Sequence, residues 1–193
     1  MNDLNNKNMN SISSKLRKCS MLLKYVHDKL INNQEIARLV KYTSKNPLSK
    51  KGILYSGEKV EQPDLTEDDV KDLITLLPFN PQMDIKAENR VFLNIPTATF
   101  TSSNVLYLNI SVVVQIEYFE ITTGLRIYEI AHAIANMLDG MYITDESYLE
   151  ELGNLRFKVE DAVIERLSSN SNTVLCDIMI SVPLFPIDRV VRK

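Results

Sequence analysis

The chain has 193 residues, 45% of them hydrophobic and 24% charged, with a formal net charge of −3. That length buries a core without staples, and the composition is that of an ordinary globular chain, which argues against a disordered or fibrous protein. Two isolated cysteines, a polar start (MNDLNNKNMN) and no apolar run near the ~20 residues of a membrane span argue against a disulfide scaffold, a signal peptide and a membrane protein, so the expected setting is a reducing cytoplasm.

In chain order, the first ten residues are Asn-rich and are expected to fray. From Ser11 to Ile31, the residues Ile12, Leu16, Cys19, Leu23, Val26 and Leu30 recur at spacings of four and three. This predicts an amphipathic helix packed on the chain's own sheet. A coiled-coil contact with another chain is the sharper alternative, but the stripe is shorter than three heptads. Ile36, Leu39 and Val40 suggest a second short helix. This end is basic: residues 1–60 hold 12 Lys and Arg against 4 Asp and Glu, whereas residues 61–193 hold 10 against 21. Such asymmetry points to a basic arm that docks on the acidic body, on a neighbouring copy or on nucleic acid.

Residues 43–65 (TSKNPLSKKGILYSGEKVEQPDL) show no sustained period and read as a long loop that reaches to a neighbouring subunit. Thr66 with Asp69 is a capping box, Leu65 and Val70 hold the staple positions, and a helix running to Pro78 is expected, with Val70, Leu73, Ile74 and Leu77 inward. Capping, not metal or acid/base chemistry, accounts for its three acids. Residues 90–99 alternate as a first strand, with Pro96 placing it at an edge or bulge, and residues 101–104 turn the chain.

Residues 105–121 (VLYLNISVVVQIEYFEI) form one very long period-two run. Leu106, Leu108, Ile110, Val112, Val114, Ile116 and Tyr118 share one face; Tyr107, Asn109, Ser111, Gln115 and Glu117 share the other. Ordinary strands run about 5–6 residues, so part of this one is expected to serve an adjoining subunit. Gly124 opens a helix to Asp139, with Ile127, Ile130, Ala131, Ile134 and Leu138 inward and Gly140 as its stop. Residues 141–154 read as an acidic loop. Leu155, Phe157, Val159 and Val163 make a third strand that Asp161 interrupts, which marks a bulge or a strand end. After a hairpin loop at 168–173, Val174, Cys176, Ile178, Ile180, Val182 and Leu184 make a clean fourth strand.

The expected fold is therefore α+β: an antiparallel four-stranded sheet in ββαββ order, packed by helices, with an N-terminal helix and a long loop. The expected segments are a helical arm at 1–42, an extended loop plus short helix at 43–89, and the ββαββ core at 90–193.

Chemistry-bearing motifs are scarce. The glycines Gly52, Gly57, Gly124, Gly140 and Gly153 build neither a G-x-G-x-x-G turn nor a Walker loop. Glu129 and His132 have the Glu-x-x-His spacing of di-iron bundles, but in one copy, and with Asn136 and Asp139 they read as a solvated helix face. His27 sits in no catalytic motif, and no zinc-type spacing of Cys and His occurs. No recognition helix or aromatic platform for nucleic acid is evident. No catalytic, cofactor or metal residue is assigned, no cofactor is expected, and the chain reads as a non-enzyme.

The strand series VFLNI, VLYLNISVVVQIEYF, LRFKVEDAV and VLCDIMISVPLF around the helix GLRIYEIAHAIANMLDG resembles the tail terminator and related neck proteins of tailed bacteriophages. The likeness covers roughly residues 90–191, and residues 47–89 have no counterpart in it. It implies a homo-oligomeric ring, commonly six-fold, that joins tail to head connector within the virion after assembly in the host cytoplasm. It also implies neck, connector and tail-tube partners, and a central passage through which genome DNA slides unbound along an acidic lumen. On this reading the candidate subunit-interface residues are Lys45, Lys50, Lys51 and Tyr55 in the loop, and Tyr107, Asn109, Ser111, Gln115 and Glu117 on the long strand. A protein-binding adaptor and a small α+β enzyme are the rival classes.

Overall fold

The computed structural model describes residues 12–76, 89–94, 105–115, 126–166 and 173–183. The expectations for the first eleven residues, for 77–88, 95–104, 116–125 and 167–172, and for 184–193 lie outside the described residues, Glu117 and Leu184 among them. Five helices are described: α1 (Ile12–Ile31), α2 (Gln34–Lys41), α3 (Glu67–Val70), α4 (Arg126–Leu138) and α5 (Glu146–Leu152). The strands are β1 (Lys51–Ile53), β2 (Lys59–Glu61), β3 (Ile74–Thr75), β4 (Arg90–Asn94), β5 (Val105–Gln115), β6 (Lys158–Arg166) and β7 (Thr173–Pro183).

The main sheet has five strands in the order β3-β4-β5-β7-β6, and it is mixed. The expected four-stranded antiparallel sheet is thereby corrected: β3 adds a parallel edge through Ile74↔Val91 and Thr75↔Phe92. The expected helix to Pro78 is correspondingly short. After the single turn of α3, Leu73 caps back on Val70, and Ile74, fully buried, joins the sheet. A β-branched residue with no room on a helix face is better packed at a sheet edge. His27 on α1 holds this turn, its Nε2 donating to the Ile74 carbonyl at 3.0 Å.

β5 and β7 pair residue for residue from Val105↔Pro183 to Gln115↔Thr173, and β4 covers Asn109 to Val113 from the other side. The long strand is thus continuous over its described part and hydrogen-bonded by strands of its own chain. Its predicted inner set, Leu106 to Val114, is buried, as is the inner set of β7 from Val174 to Val182. The bulge expected near Asp161 falls between Val159 and Asp161 in the β6/β7 register.

α4 lies on this inner face with Ile127, Ile130, Ala131, Ile134 and Leu138 all buried, as the 3.6-residue period predicts. Its opposite side, Glu129, His132, Asn136 and Asp139, is exposed. α1 packs on the same core, but its buried stripe is rotated from the heptad reading. Leu16 is 52% exposed and Leu23 only part-buried, whereas Leu22 and Tyr25 are fully inside. Tyr25 determines the rotation, since its ring stacks on Phe157 (6.1 Å) and meets Tyr148 edge-on (5.1 Å). One continuous core runs from α1 and α2 through the sheet to α4.

The acidic loop expected at 141–154 contains α5. Asp145 is its N-cap, accepting from the Ser147 amide at 3.0 Å, and Gly153 ends it at φ +75°. Tyr148 ties α5 to α1 by donating to the Asp28 carboxylate at 2.9 Å, and Arg17 pairs with Glu151. The latter pair joins basic arm to acidic body, one of the dockings the charge asymmetry suggests.

Candidate interaction surface

Residues 43–65, expected to be a structureless loop, instead fold back as a hairpin. β1 and β2 pair antiparallel from Lys51↔Glu61 to Ile53↔Lys59. Strands of three residues, with Gly52 their one buried position, carry no detectable period, so the hairpin is set by anchoring and not by pattern. Two arginines supply the anchoring. Arg38, 5% exposed, donates to the carbonyls of Pro47 (3.2 Å), Ser49 (2.6 Å) and Pro63 (3.0 Å). Arg126, 4% exposed at the start of α4, donates to the carbonyls of Leu39 (3.1 Å), Tyr42 (2.7 Å) and Ser44 (2.9 Å). Burial pushes the Arg126 guanidinium below its ordinary pKa, while the nearby Glu129 carboxylate, at 3.1 Å, opposes that shift. The fork geometry of a guanidinium lets one side chain satisfy several backbone acceptors that would otherwise be stranded. Gln62, buried, completes the base by accepting from Ser44 Oγ at 2.8 Å and donating to the Pro47 carbonyl at 3.3 Å.

The anchored hairpin presents four of the predicted site residues. Lys45, Lys50, Lys51 and Tyr55 are all exposed, with the Lys45 ammonium 5.7 Å from the centre of the Tyr55 ring and Lys50 paired to Asp64 at 3.2 Å. Leu48 and Ile53 are exposed apolar neighbours, Lys59 adds a fourth exposed ammonium opposite Ile53, and Glu58 and Glu61 are exposed carboxylates of the same hairpin.

The strand residues of the predicted set lie elsewhere. Alternation along β5 puts Tyr107, Asn109 and Ser111 on the sheet face away from the helices; Gln115 ends the strand opposite Thr173, and Glu117 lies outside the described residues. The structure does not bring the two sets together: the hairpin is bolted to the helical layer, and these residues face the opposite way. Asn109 and Ser111 are tied to a residue the sequence reading missed, Asp177 on β7. Asn109 Nδ2 donates to Asp177 Oδ1 at 3.0 Å, and Ser111 Oγ donates to the same oxygen at 2.5 Å. Beside them Ser181 and Lys158 both donate to the Glu160 carboxylate, and these bonds hold that carboxyl below its ordinary pKa.

Around this polar centre stand exposed apolar side chains. Tyr107 is 41% exposed, Met179 42% and Val163 51%, and the register sets Met179 opposite both Asn109 and Asp161. Val163, expected on the apolar face with Val159, is turned outward because the bulge between Val159 and Asp161 shifts the alternation of β6; Met179 was not predicted, although the clean alternation of β7 defines an outer face as well as an inner one. Phe92, Val113 and Leu175 form a separate small buried cluster on this side of the sheet.

A third feature is a cleft of about 690 Å³ lined by Lys41, Asp68, Asp69, Asp72, Thr75 and Arg90. Its acids are engaged locally. Asp69 accepts from both Thr66 N–H and Oγ1, which lowers its pKa, and Asp68 pairs with Lys71 at 2.7 Å. This supports the capping account of that sequence.

No curated protein and no solved structure matches the chain. The YomW family model matches residues 33–172, a span that runs from the start of α2 through the hairpin, α4 and β6. With well over half its length within that match, the chain belongs to the YomW family, of the Bacillus phage SPbeta-region type, and is a phage-associated protein.

Proposed function

We propose that this chain is a non-catalytic structural component of a phage particle. In this reading it is a tail-terminator or neck subunit that assembles into a homo-oligomeric ring, joins tail tube to head connector and surrounds the DNA passage. The observation that carries the reading is the outer sheet face. All described helices that pack on the sheet core lie on its inner side; the outer side is buried at Phe92, Ser111, Val113, Leu175 and Ser181 and leaves Tyr107, Met179 and Val163 exposed beside a hydrogen-bonded polar centre. A sheet face that carries exposed apolar side chains beside buried, hydrogen-bonded polar ones suits contact with another protein better than it suits a solvated surface.

Two further facts support the reading. The family is phage-associated, and the described core has two antiparallel strands, the long helix α4 followed by the short α5, and two antiparallel strands in that order. The acid excess over residues 61–193 suits a lumen through which DNA moves without being gripped. The protein would be made in the host cytoplasm and retained in the virion neck.

Deletion of the chain from a phage that encodes it tests the proposal. Filled heads and tails that accumulate unjoined are the expected result. Normal yields of complete particles would refute it, as would absence of the chain from purified virions.

A further inference from the structure

The two exposed patches match each other. The hairpin patch offers Lys45, Lys51 and Lys59, which outnumber its exposed Glu58 and Glu61, beside Tyr55, Leu48 and Ile53. The β6–β7 half of the outer face offers exposed Asp161 and Glu165 with half-buried Asp177, beside Met179 and Val163 and next to Tyr107 of β5. Each therefore combines exposed apolar side chains with charge, and the excess charge is positive on the hairpin and negative on the outer face, where Lys158 is taken up by Glu160. The geometry points to a specific occupant for the outer face: the anchored hairpin of a second copy of this chain. This inference rests on the ring reading above and names the surfaces that make the ring.

Three properties of the structure carry it. First, one chain cannot satisfy itself. The hairpin is held by α2 and by the start of α4, on the helical layer, and the acidic patch faces away from that layer. Second, the contact is heterologous, since patch and counter-patch are different surfaces. Such contacts propagate head to tail and close into rings when the rotation between copies allows it, which a self-complementary two-fold contact does not do. Third, the hairpin is rigid before any partner arrives. Six backbone carbonyls held by Arg38 and Arg126, with the buried Ser44–Gln62 pair, fix a surface excursion that needs no such anchoring to remain soluble. Preorganisation of that kind lowers the ordering cost of association.

The edge strand β6 sits within the receiving patch. Its bulge at Val159–Asp161 and its charges at Lys158, Glu160 and Glu165 discourage indiscriminate strand pairing. Recognition of the hairpin by side chains across the face, instead of by edge-to-edge pairing, is consistent with that protection. Charge arrangement then sets which surface is met and in what register.

A charge-swap experiment on the full chain tests this. One variant carries Lys45→Glu and Lys51→Glu on the hairpin; the other carries Asp161→Lys and Glu165→Lys on β6. All four side chains are exposed, and circular dichroism checks that both variants are folded. Light scattering and sedimentation then follow mass against concentration, beginning from the 22.1 kDa monomer. Each variant alone should need on the order of a hundredfold higher concentration than wild type to assemble, because like charges then face each other. An equimolar mixture should recover species of at least twice the monomer mass. Wild-type-like assembly by both single variants, or a mixture that stays monomeric, would overturn the hairpin-to-face contact while leaving the ring reading intact. A wild-type chain that stays monomeric at every concentration and with tail tube or connector present would overturn both.

Discussion

Replacement of Arg126 by methionine keeps the apolar stem and removes the guanidinium. Three backbone carbonyls, those of Leu39, Tyr42 and Ser44, then lose their donor in a site where Arg126 is only 4% exposed. A buried polar group left without a partner costs about 1–3 kcal/mol. Partial hydration of Tyr42 and Ser44 after loosening reduces the sum, so a loss of roughly 3–5 kcal/mol is expected. The freed Glu129, 48% exposed on its side chain, adds little. Set against a total stability of about 5–15 kcal/mol, this is a large fraction. Urea titration at neutral pH measures it, and limited trypsin digestion reports whether the lysines of the hairpin become accessible before global unfolding. Arg126→Lys should lose about half as much, because a point ammonium reaches fewer acceptors than a fork. A methionine variant within about 1 kcal/mol of wild type, with its hairpin still resistant to trypsin, would refute the assignment of Arg126 as the anchor.

Four further outcomes are expected. At Gly52 an added Cβ would lie 1.6 Å from Gln62 Oε1 and 2.5 Å from its Cδ; Gln62 is buried and held by two hydrogen bonds, so Gly52→Ala should lower the melting temperature beyond the effect of Gly57→Ala, which meets no atom within 4 Å and carries only the backbone strain of φ +89°. Ile134→Ala on α4 empties a fully buried site and should cost about 2–5 kcal/mol by denaturant titration. Asp145 is held below the ordinary carboxyl pKa by bonds from the Ser147 hydroxyl and amide, so its capping contribution is present above the unfolded-state pKa and is lost as pH falls through the lower folded-state value; Asp145→Ala should therefore lower the melting temperature at pH 7, and the gap to wild type should close in acid. Burial pushes the Cys176 thiol up to about 11, with the Asp177 charge adding to it, and raises Cys19 as well, so a thiol reagent at pH 8 should label neither until the chain is unfolded; rapid labelling of the native protein would contradict the packing described.

The parts legible from the sequence are those with a long, strict period. Eleven residues of β5 alternate so regularly that both faces could be assigned, and the inward set of α4 followed from its 3.6-residue spacing. The same alternation put the candidate interface positions Tyr107, Asn109 and Ser111 on the outer face, where the structure has them. Shorter elements escaped. β3 has two residues, and its parallel pairing to β4 depends on Leu73 and Val91 meeting across some eighteen positions of chain, which no local pattern encodes. α5 was legible in hindsight from Asp145 as cap, Leu149 and Leu152 at helical spacing, and Gly153 as stop, but the density of acids obscured it. The rotation of α1 was invisible because Leu16, Leu22 and Leu23 are interchangeable by hydrophobicity; only Phe157 and Tyr148, more than 120 residues away, select Tyr25 and hence the buried side.

By itself, then, the sequence determined the α+β class, the central strand pair, the helix that covers it and the polarity of charge between the two ends of the chain. Those properties arise from local periodicity and composition. Tertiary structure alone decided that the 43–65 segment is a hairpin, that Arg38 and Arg126 are its anchors and that Asp177 completes the polar centre of the outer face. Each of these depends on a donor meeting an acceptor far away in the chain, and the free energy of burying such groups is settled only when the partner arrives.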